Sequence, residues 1–312
     1  MPQRVLVTGA TGFLASYAIP ALKEQGYYVV GLSQLAHHQL DIGLCDEYFC
    51  VDINDAEKLA DVVVSISPDI VVHLAGLSFV AHPEPLDFYR VNVLGTENLL
   101  NALILLPEKQ VKQVFLASSA TVYGANAIGK INESTVALPQ NHYAQSKLAM
   151  ELVARNYISH FSISILRLFN FTGVGQAEHF LIPKLVKHFL SKSNVIELGN
   201  INVSRDFCDV RDIVGWLVEL VKQASCYTNV TQLNAVSTYN LSSGSPTKLQ
   251  GLLDELSSLS GVKPEIQQLK ALMRENETES LWGDNAKVID QTRRSLRYSL
   301  SQTLAWMLLG KS

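Results

Sequence analysis

Apolar and polar positions along this chain fall into short blocks of alternating kind. Arg4–Val7 (RVLV) is apolar and halts at a glycine-bearing turn. A helical spacing follows to about Gln25, with Gly26 as its stop signal. Pro20 lies inside that stretch and is expected to kink or disturb the helix. Strands are predicted over Tyr27–Leu32 and over Tyr48–Val51, the second ending at Asp52. Ala56–Ile66 reads as a helix, and Pro68 then breaks the chain before DIVVHLAG, a strongly apolar strand. A long helix over Phe88–Leu105, a strand in VKQVFLASS, a helix over Tyr143–His160 and a strand in SISILRL complete the series. The strands are apolar nearly throughout, as parallel strands covered on both faces are. Their alternation with helices predicts an α/β fold built on a doubly wound parallel sheet. Such a sheet binds ligands beyond the carboxyl ends of its strands.

After Asn170 the pattern changes. Short segments alternate with loops rich in Gly, Asn, Ser and Thr, and helices are predicted near Pro183–Leu190, Ile213–Lys222 and Leu249–Leu259. Residues 1–170 are therefore expected to be mainly a dinucleotide-binding domain. Residues 171–312 are expected to be mainly a smaller substrate-binding lobe, with some elements free to return to the first sheet. Of the 312 residues, 47% are hydrophobic and 17% charged, and the formal net charge is −4. That composition excludes disorder, and it supplies no positive excess to draw nucleic acid or an anionic membrane. The four cysteines, Cys45, Cys50, Cys208 and Cys226, form no metal-ligand spacing and read as buried or incidental thiols. MPQRVLVTGATGFLAS has no long apolar core of a signal peptide, and a soluble cytoplasmic protein is expected.

The first turn reads Thr8-Gly9-Ala10-Thr11-Gly12-Phe13-Leu14-Ala15. It follows the first strand and opens the first helix. There glycines allow a tight turn and close approach to a pyrophosphate, which the helix N-terminus attracts. Gly9, Thr11, Gly12, Phe13 and Leu14 are the candidates for that contact. Ser33 stands at the end of the second strand, where an acidic residue would bind the ribose of NAD. Its neutrality leans the expectation to NADP(H), with NAD(H) as the alternative, and His37 and His38 are the nearest groups for a 2′-phosphate. Asp52 and Ile53 end the third strand, where adenine could be held, and Leu74, Ala75 and Gly76 end the fourth, where backbone could pass close to the cofactor.

Tyr143 and Lys147 are four apart at the start of a helix and share one face. A lysine charge can lower a neighbouring phenol's pKa and so tune it for proton transfer. Ser119, at the end of VFLASS, can hydrogen-bond a substrate oxygen.

TGATGFL, DIVVHLAG, VNVLGT, SSATVYG, YAQSK and RLFN, in this order, resemble the extended short-chain dehydrogenase/reductase family. The resemblance implies a Rossmann-like domain with a C-terminal nucleotide-sugar lobe. It implies Ser119 as substrate hydrogen-bond donor, Tyr143 as acid/base, Lys147 as tyrosine partner and ribose anchor, and Ala117 and Phe169 beside the cofactor. It also implies a homodimer through a four-helix bundle made by the Phe88–Leu105 and Tyr143–His160 helices. The dehydratases of the family carry an acidic residue two places after the catalytic Ser/Thr. Here that place is Thr121, whose hydroxyl is far too weak an acid for its alkoxide to serve as a general base.

RLFNFTGVGQAEHFLIPKLVK and GNINVSRDFCDVRDI resemble the GDP-sugar branch, and in particular the GDP-4-keto-6-deoxy-D-mannose reductases. That resemblance points to Asn170 and Arg205 on the nucleotide diphosphate, with Lys184, Asn200 and Arg274 as further contacts. Arginine's planar fork suits phosphate oxygens. Arg274 lacks the proline that usually follows it. Ser78, Thr121 and His179 are placed around the sugar. The implied reaction is NAD(P)H-dependent reduction of the C4 ketone of a nucleotide-linked 4-keto-6-deoxy sugar. The rival readings are a dTDP- or CDP-sugar reductase, a nucleotide-sugar 4-epimerase with tightly held NAD, and a non-catalytic dinucleotide sensor.

Overall fold

The computed structural model describes residues 2–35, 45–79, 82–108, 110–124, 129–226, 235–273 and 280–310. The first half runs β1 (Arg4–Thr8), α1 (Phe13–Glu24), β2 (Tyr28–Ser33), β3 (Glu47–Cys50), α2 (Ala56–Ile66), β4 (Ile70–His73), α3 (Pro85–Tyr89), α4 (Gly95–Ile104), β5 (Gln113–Ser119), β6 (Gly129–Ile131), α5 (His142–Ala154) and β7 (Ser162–Leu168). The second half runs β8 (Asn170–Thr172), α6 (Leu181–Leu190), β9 (Val195–Leu198), β10 (Ser204–Asp209), α7 (Val210–Ser225), β11 (Val236–Leu241), β12 (Pro246–Lys248), α8 (Leu249–Ser260), β13 (Glu265–Gln268), β14 (Ser280–Gly283), α9 (Ala286–Thr292) and α10 (Leu300–Leu309).

Seven strands form the main sheet in the order β11-β7-β5-β4-β1-β2-β3. Every pairing in it is parallel. The order reverses between β1 and β4, and at such a point the strand ends diverge into a cleft. Alternate residues supply two cores. Val5, Val7, Val29, Val72, Phe115 and Leu166 face α1 and α7. Leu6, Val30, Val71, Val114, Leu116, Ile163 and Ile165 face α2, α4 and α5. Because both faces are covered, the strands needed no polar side, which is why they read as continuous apolar runs.

The chain returns to this sheet late. α7 packs on α1, and β11 adds the edge strand beside β7. The other later strands make a mixed sheet, β12-β10-β14-β6 with β8 on β10, and a two-stranded ribbon of β9 and β13. α6, α8 and α10 close a separate core over it, around Leu185, Phe189, Leu253 and Leu304.

Two helices differ from expectation. α1 runs through Pro20 to Glu24, so that proline does not end it. The predicted Phe88–Leu105 helix starts earlier, at Pro85, behind the Glu84 cap. It also contains a π-helical turn at Arg90–Leu94. Asn92 lies fully buried in that turn, and a Cβ on Gly95 would come 2.6 Å from Ile53. The wide turn and the glycine let this helix press against the strand ends. β3 begins and ends one residue earlier than expected, and the helix from Tyr143 gives way after Ala154 to a 3₁₀ turn at Arg155–Tyr157.

Candidate active site

The ends of β1, β2, β4, β5 and β7 meet along one edge of the main sheet. Gly9 has φ +67°, the left-handed region that glycine enters without steric cost. A Cβ there would lie 2.6 Å from the Ala75 nitrogen, so the β1 turn and the Leu74–Ala75 backbone are in direct contact. Gly12 N–H donates to the Gly9 carbonyl at 2.9 Å. Gly12 starts α1 with no side-chain cap and no acidic residue in the first turn. Phe13 and Leu14 follow it on α1. Their N–H groups and the positive end of the helix thus point out of a side-chain-free cradle, which fits a pyrophosphate.

Ser33 is buried at the end of β2. Its hydroxyl accepts from Thr11 Oγ1 at 3.3 Å and Leu35 N–H at 3.2 Å, and pairs with Tyr48 at 2.9 Å. Tyr48 in turn donates to the Leu35 carbonyl. Among the described residues these contacts of Ser33 involve no charged group. His37 and His38 lie outside the described residues. Asp52 is exposed, and its carboxylate is engaged by Asn54, while Ile53 is buried and its carbonyl accepts from Asn98.

The catalytic candidates come together where β5 ends against α5. Asn141 caps α5 by accepting from Ala144 N–H at 2.9 Å, which sets Tyr143 in the first turn. Lys147 is buried, and its Nζ donates to the Ala117 carbonyl at 2.8 Å. A Cβ at Gly76 would lie 3.0 Å from that Nζ and 2.9 Å from Asn92 Oδ1, so only glycine leaves the ammonium its room. Burial lowers Lys147 to about 8, against the opposing pull of the Glu151 carboxylate. Tyr143 is also buried, and burial pushes its phenol up while a hydrogen bond with Ser119 pulls it down. The expected depression by lysine is not what governs here: desolvation dominates, and the phenol holds its proton at neutral pH. Thr121 donates from both its hydroxyl, at 2.9 Å, and its N–H, at 3.2 Å, to Ser119 Oγ.

A neutral network behind these residues escaped the sequence reading. Ala75 N–H donates to Thr8 Oγ1, which donates to His73 Nδ1 at 2.6 Å. The other ring nitrogen donates to Thr96 Oγ1 at 2.9 Å, and Thr96 donates to the Asn92 carbonyl. That direction requires the Nε2–H form of the ring. Burial, and then the Lys147 charge, lower His73 to about 3. Asn92 continues the chain, donating to the Leu77 carbonyl and to Ser146, which donates to the Tyr143 carbonyl. The available signal was a histidine in an otherwise apolar strand and an asparagine three residues before a helix glycine.

The sugar-side candidates are more scattered. Asn170 donates to the Asp206 carbonyl at 3.0 Å, and Arg205 on β10 donates to the Ser204 carbonyl at 2.9 Å. Phe169 is buried against Tyr123, with ring centroids 6.3 Å apart. Ser78 is exposed after β4. The next residue, Phe79, meets His179 edge-on at 4.8 Å, so the loop after β4 and the loop before α6 touch through exposed rings. Lys184 stands half-buried on α6, and Asn200 accepts from Asn202 N–H in its own loop. Neither reaches the catalytic group among the described residues. Arg274 lies outside them.

A family profile described as GDP-mannose 4,6 dehydratase matches residues 6–307. The chain is 30% identical to a GDP-6-deoxy-D-talose 4-dehydrogenase of Aggregatibacter actinomycetemcomitans, over 95% of this chain and 93% of that protein. It is 30% identical to a GDP-6-deoxy-D-mannose reductase of Pseudomonas aeruginosa, over 99% and 97%. Among solved structures, a Burkholderia cenocepacia J2315 protein provisionally named an epimerase is 36% identical, covers 99% of this chain and 98% of its own, and superposes with a TM-score of 0.90. MoeE5 bound to UDP-glucose and NAD is 26% identical with a TM-score of 0.83, covering 98% and 97%. RMD of Pseudomonas aeruginosa bound to NADPH is 27% identical with a TM-score of 0.79, covering 98% of each chain. The chain thus belongs to the GDP-mannose 4,6-dehydratase-like family of extended short-chain dehydrogenases/reductases, NAD(P)-dependent oxidoreductases of nucleotide sugars.

Proposed function

We propose that this enzyme reduces the C4 ketone of a nucleotide-linked 4-keto-6-deoxy sugar, with GDP-4-keto-6-deoxy-D-mannose as the substrate to test first. The observation that carries this is Thr121. Its hydroxyl is committed to Ser119 at the place where a dehydratase needs a carboxylate, while Ser119, Tyr143 and Lys147 are assembled. The two GDP-sugar relatives, a 4-dehydrogenase and a reductase, support an oxidoreductase acting on such a sugar.

Gly9, Thr11, Gly12, Phe13 and Leu14 would hold the cofactor's pyrophosphate, Ser33 and the Asp52–Ile53 turn its adenosine, and Leu74, Ala75, Gly76, Ala117, Phe169 and Lys147 its nicotinamide half. When bound, that cofactor supplies a hydride to C4. Tyr143 delivers a proton to the C4 oxygen; its raised phenol keeps that proton available at neutral pH. Ser119 holds the oxygen in line, and Lys147 balances the negative charge left on the phenol. Asn170, Arg205 and Lys184 hold the diphosphate, with Asn200 and Arg274 assisting, and Ser78 and His179 border the sugar. Ser33, in place of the acidic residue that would bind an NAD ribose there, supports NADPH over NADH. Exposed Leu86, Leu94, Leu105 and Leu152 on and beside the α3–α4 and α5 helices support a homodimer through a four-helix bundle.

Purified enzyme is assayed for NADPH and NADH oxidation with GDP-4-keto-6-deoxymannose and its dTDP and CDP counterparts. Net oxidation on the GDP sugar, faster with NADPH, is expected. Redox-neutral interconversion of UDP- or GDP-hexoses without net NAD(P)H consumption would establish a 4-epimerase instead.

A further inference from the structure

On the sheet face toward α5, β5 and β7 present paired rungs: Val114 beside Ile163, Leu116 beside Ile165, and Ser118 beside Arg167. The first two rungs are buried and apolar. The third is buried and polar, and α5 places Glu151 against it. Glu151 Oε1 accepts from Ser118 Oγ at 2.5 Å and from Arg167 Nε at 3.0 Å, and Oε2 accepts from Arg167 Nη2 at 2.7 Å. The Arg167 guanidinium lies 4.8 Å over the Tyr123 ring, whose hydroxyl donates to Asn240. A buried ion pair of this kind is commonly no more stable than apolar residues of the same volume. Stability alone therefore does not account for its position.

Its neighbours do. The last three residues of β5 are each tied to α5: the Ala117 carbonyl to Lys147, Ser118 to Glu151, and Ser119 to Tyr143. Glu151 is one helical turn beyond Lys147 and on the same face. We propose that Glu151, clamped by Arg167 and Ser118, is a positioning residue that holds Lys147 in its ammonium form and locks the end of β5 to the catalytic helix. This rests on the reading of Lys147 as cofactor anchor and partner of Tyr143.

Among the described residues, the polar and titratable groups around Lys147 come from four elements. From β4 comes His73, neutral in its threonine bracket; from the π turn, Asn92; from β5, the Ala117 carbonyl; and from α5, Tyr143 and Glu151, the latter paired with Arg167 of β7. Burial draws Lys147 down, and Glu151 supplies the negative charge that opposes it. A carboxylate one helical turn away on the same face favours the charged form of a lysine.

The test is binding of NADPH to the full chain by fluorescence titration from pH 6 to 10. In the wild type, affinity should fall as Lys147 loses its proton, with a midpoint near 8. Glu151→Gln should bring that midpoint down by about one pH unit, leaving affinity unchanged at pH 6 and weakened roughly fivefold at pH 8. Because Glu151→Gln strands the Arg167 charge and could fail to fold, the double variant Glu151→Gln with Arg167→Met is measured beside it and should shift in the same direction. A folded variant whose midpoint stays at the wild-type value, or whose affinity drops evenly at every pH, overturns the proposal. Lys147→Met separates the two levels of the argument. If it abolishes the titration while Glu151→Gln leaves the midpoint in place, only the role of Glu151 falls. If binding and its pH profile survive without Lys147, the reading of Lys147 falls and this inference with it.

Discussion

The cofactor-side and sugar-side candidate residues are placed by different means. On the cofactor side, seven parallel strands packed between two helix layers end at one edge, and the candidate residues are those strand ends. Each position is over-determined. Gly9 touches the Ala75 backbone, Gly76 faces Lys147, and Ser119 is linked to both Tyr143 and Thr121. On the sugar side, a short mixed sheet carries Arg205 and Asn170, and the remaining candidates stand on loops or half-exposed helix turns. The lesson is a division of labour. On the proposed function, the strand-end edge would fix the reacting atoms, and the residues of the second sheet and its loops would decide which nucleotide sugar is held there.

The sharpest way to break that division is to change each side separately and watch kcat and KM move apart. Tyr143→Phe removes the proton donor and leaves the cradle at Gly9–Leu14 untouched. It should cut kcat by about a hundred- to ten-thousandfold, with NADPH affinity within about twofold of wild type by fluorescence titration. Turnover near the wild-type rate would end the assignment of Tyr143.

On the other side, Arg205→Met should raise KM for the nucleotide sugar by about ten- to a hundredfold, as expected for the loss of charge-assisted bonds to phosphate. Its kcat should stay within about threefold. Arg205→Lys should recover only part, because an ammonium cannot replace the bidentate fork. If Arg205→Met lowers kcat and leaves KM alone, the two sides are not separable in the manner described.

Between these extremes stands a residue that serves the rigid edge without touching substrate. His73 is buried and neutral, with its pKa lowered from 6.5 to about 3. Between those values the unfolded chain binds a proton that the native ring refuses. Stability from this group is therefore complete above pH 6.5 and is lost as pH falls toward 3. At pH 5 the loss is about 2 kcal/mol, from a gap of about 1.5 pH units. His73→Gln removes that titration. In denaturant titrations at pH 7 and pH 5, wild type should lose about 2 kcal/mol more than the variant. Equal losses would mean that the ring is not held neutral.

The same contrast explains what could be read from the chain in advance. The parallel sheet was legible because strands buried on both faces have no polar alternation to confuse them, and TGATGFL names its own turn. Tyr143 and Lys147 were legible because their spacing is local, and Ser119 because it ends an apolar strand. Glu151, Arg167 and His73 were not, since each is meaningful only through a partner on another strand or helix. Arg167, for instance, is the single charge in SISILRL, and nothing local says that it meets Glu151. That a later element could return to the main sheet was expected, but that β11 would be that strand was hidden, because it lies beyond a stretch of different character. The π turn at Asn92 left no mark in a sequence that otherwise spaces its apolar residues as an ordinary helix.

The smallest effect expected is at the seam between the two sides. Phe79, from the loop after β4, and His179, from the loop before α6, meet edge-on at 4.8 Å, and Phe79 remains 44% exposed. Such an aromatic pair contributes about 0.5–1.5 kcal/mol beyond the area it covers. Phe79→Ala should therefore leave the fold and NADPH binding intact and raise KM for the nucleotide sugar by about three- to tenfold. Phe79→Tyr, which keeps the ring, should remain close to wild type. The pair of variants sharpens the comparison because Phe79 is rooted on the rigid edge yet touches the adaptable lobe. If Phe79→Ala lowers kcat in proportion to KM, the seam takes part in aligning the reacting atoms. If KM alone moves, the contact closes the lobe over the sugar and the chemistry stays with the strand ends.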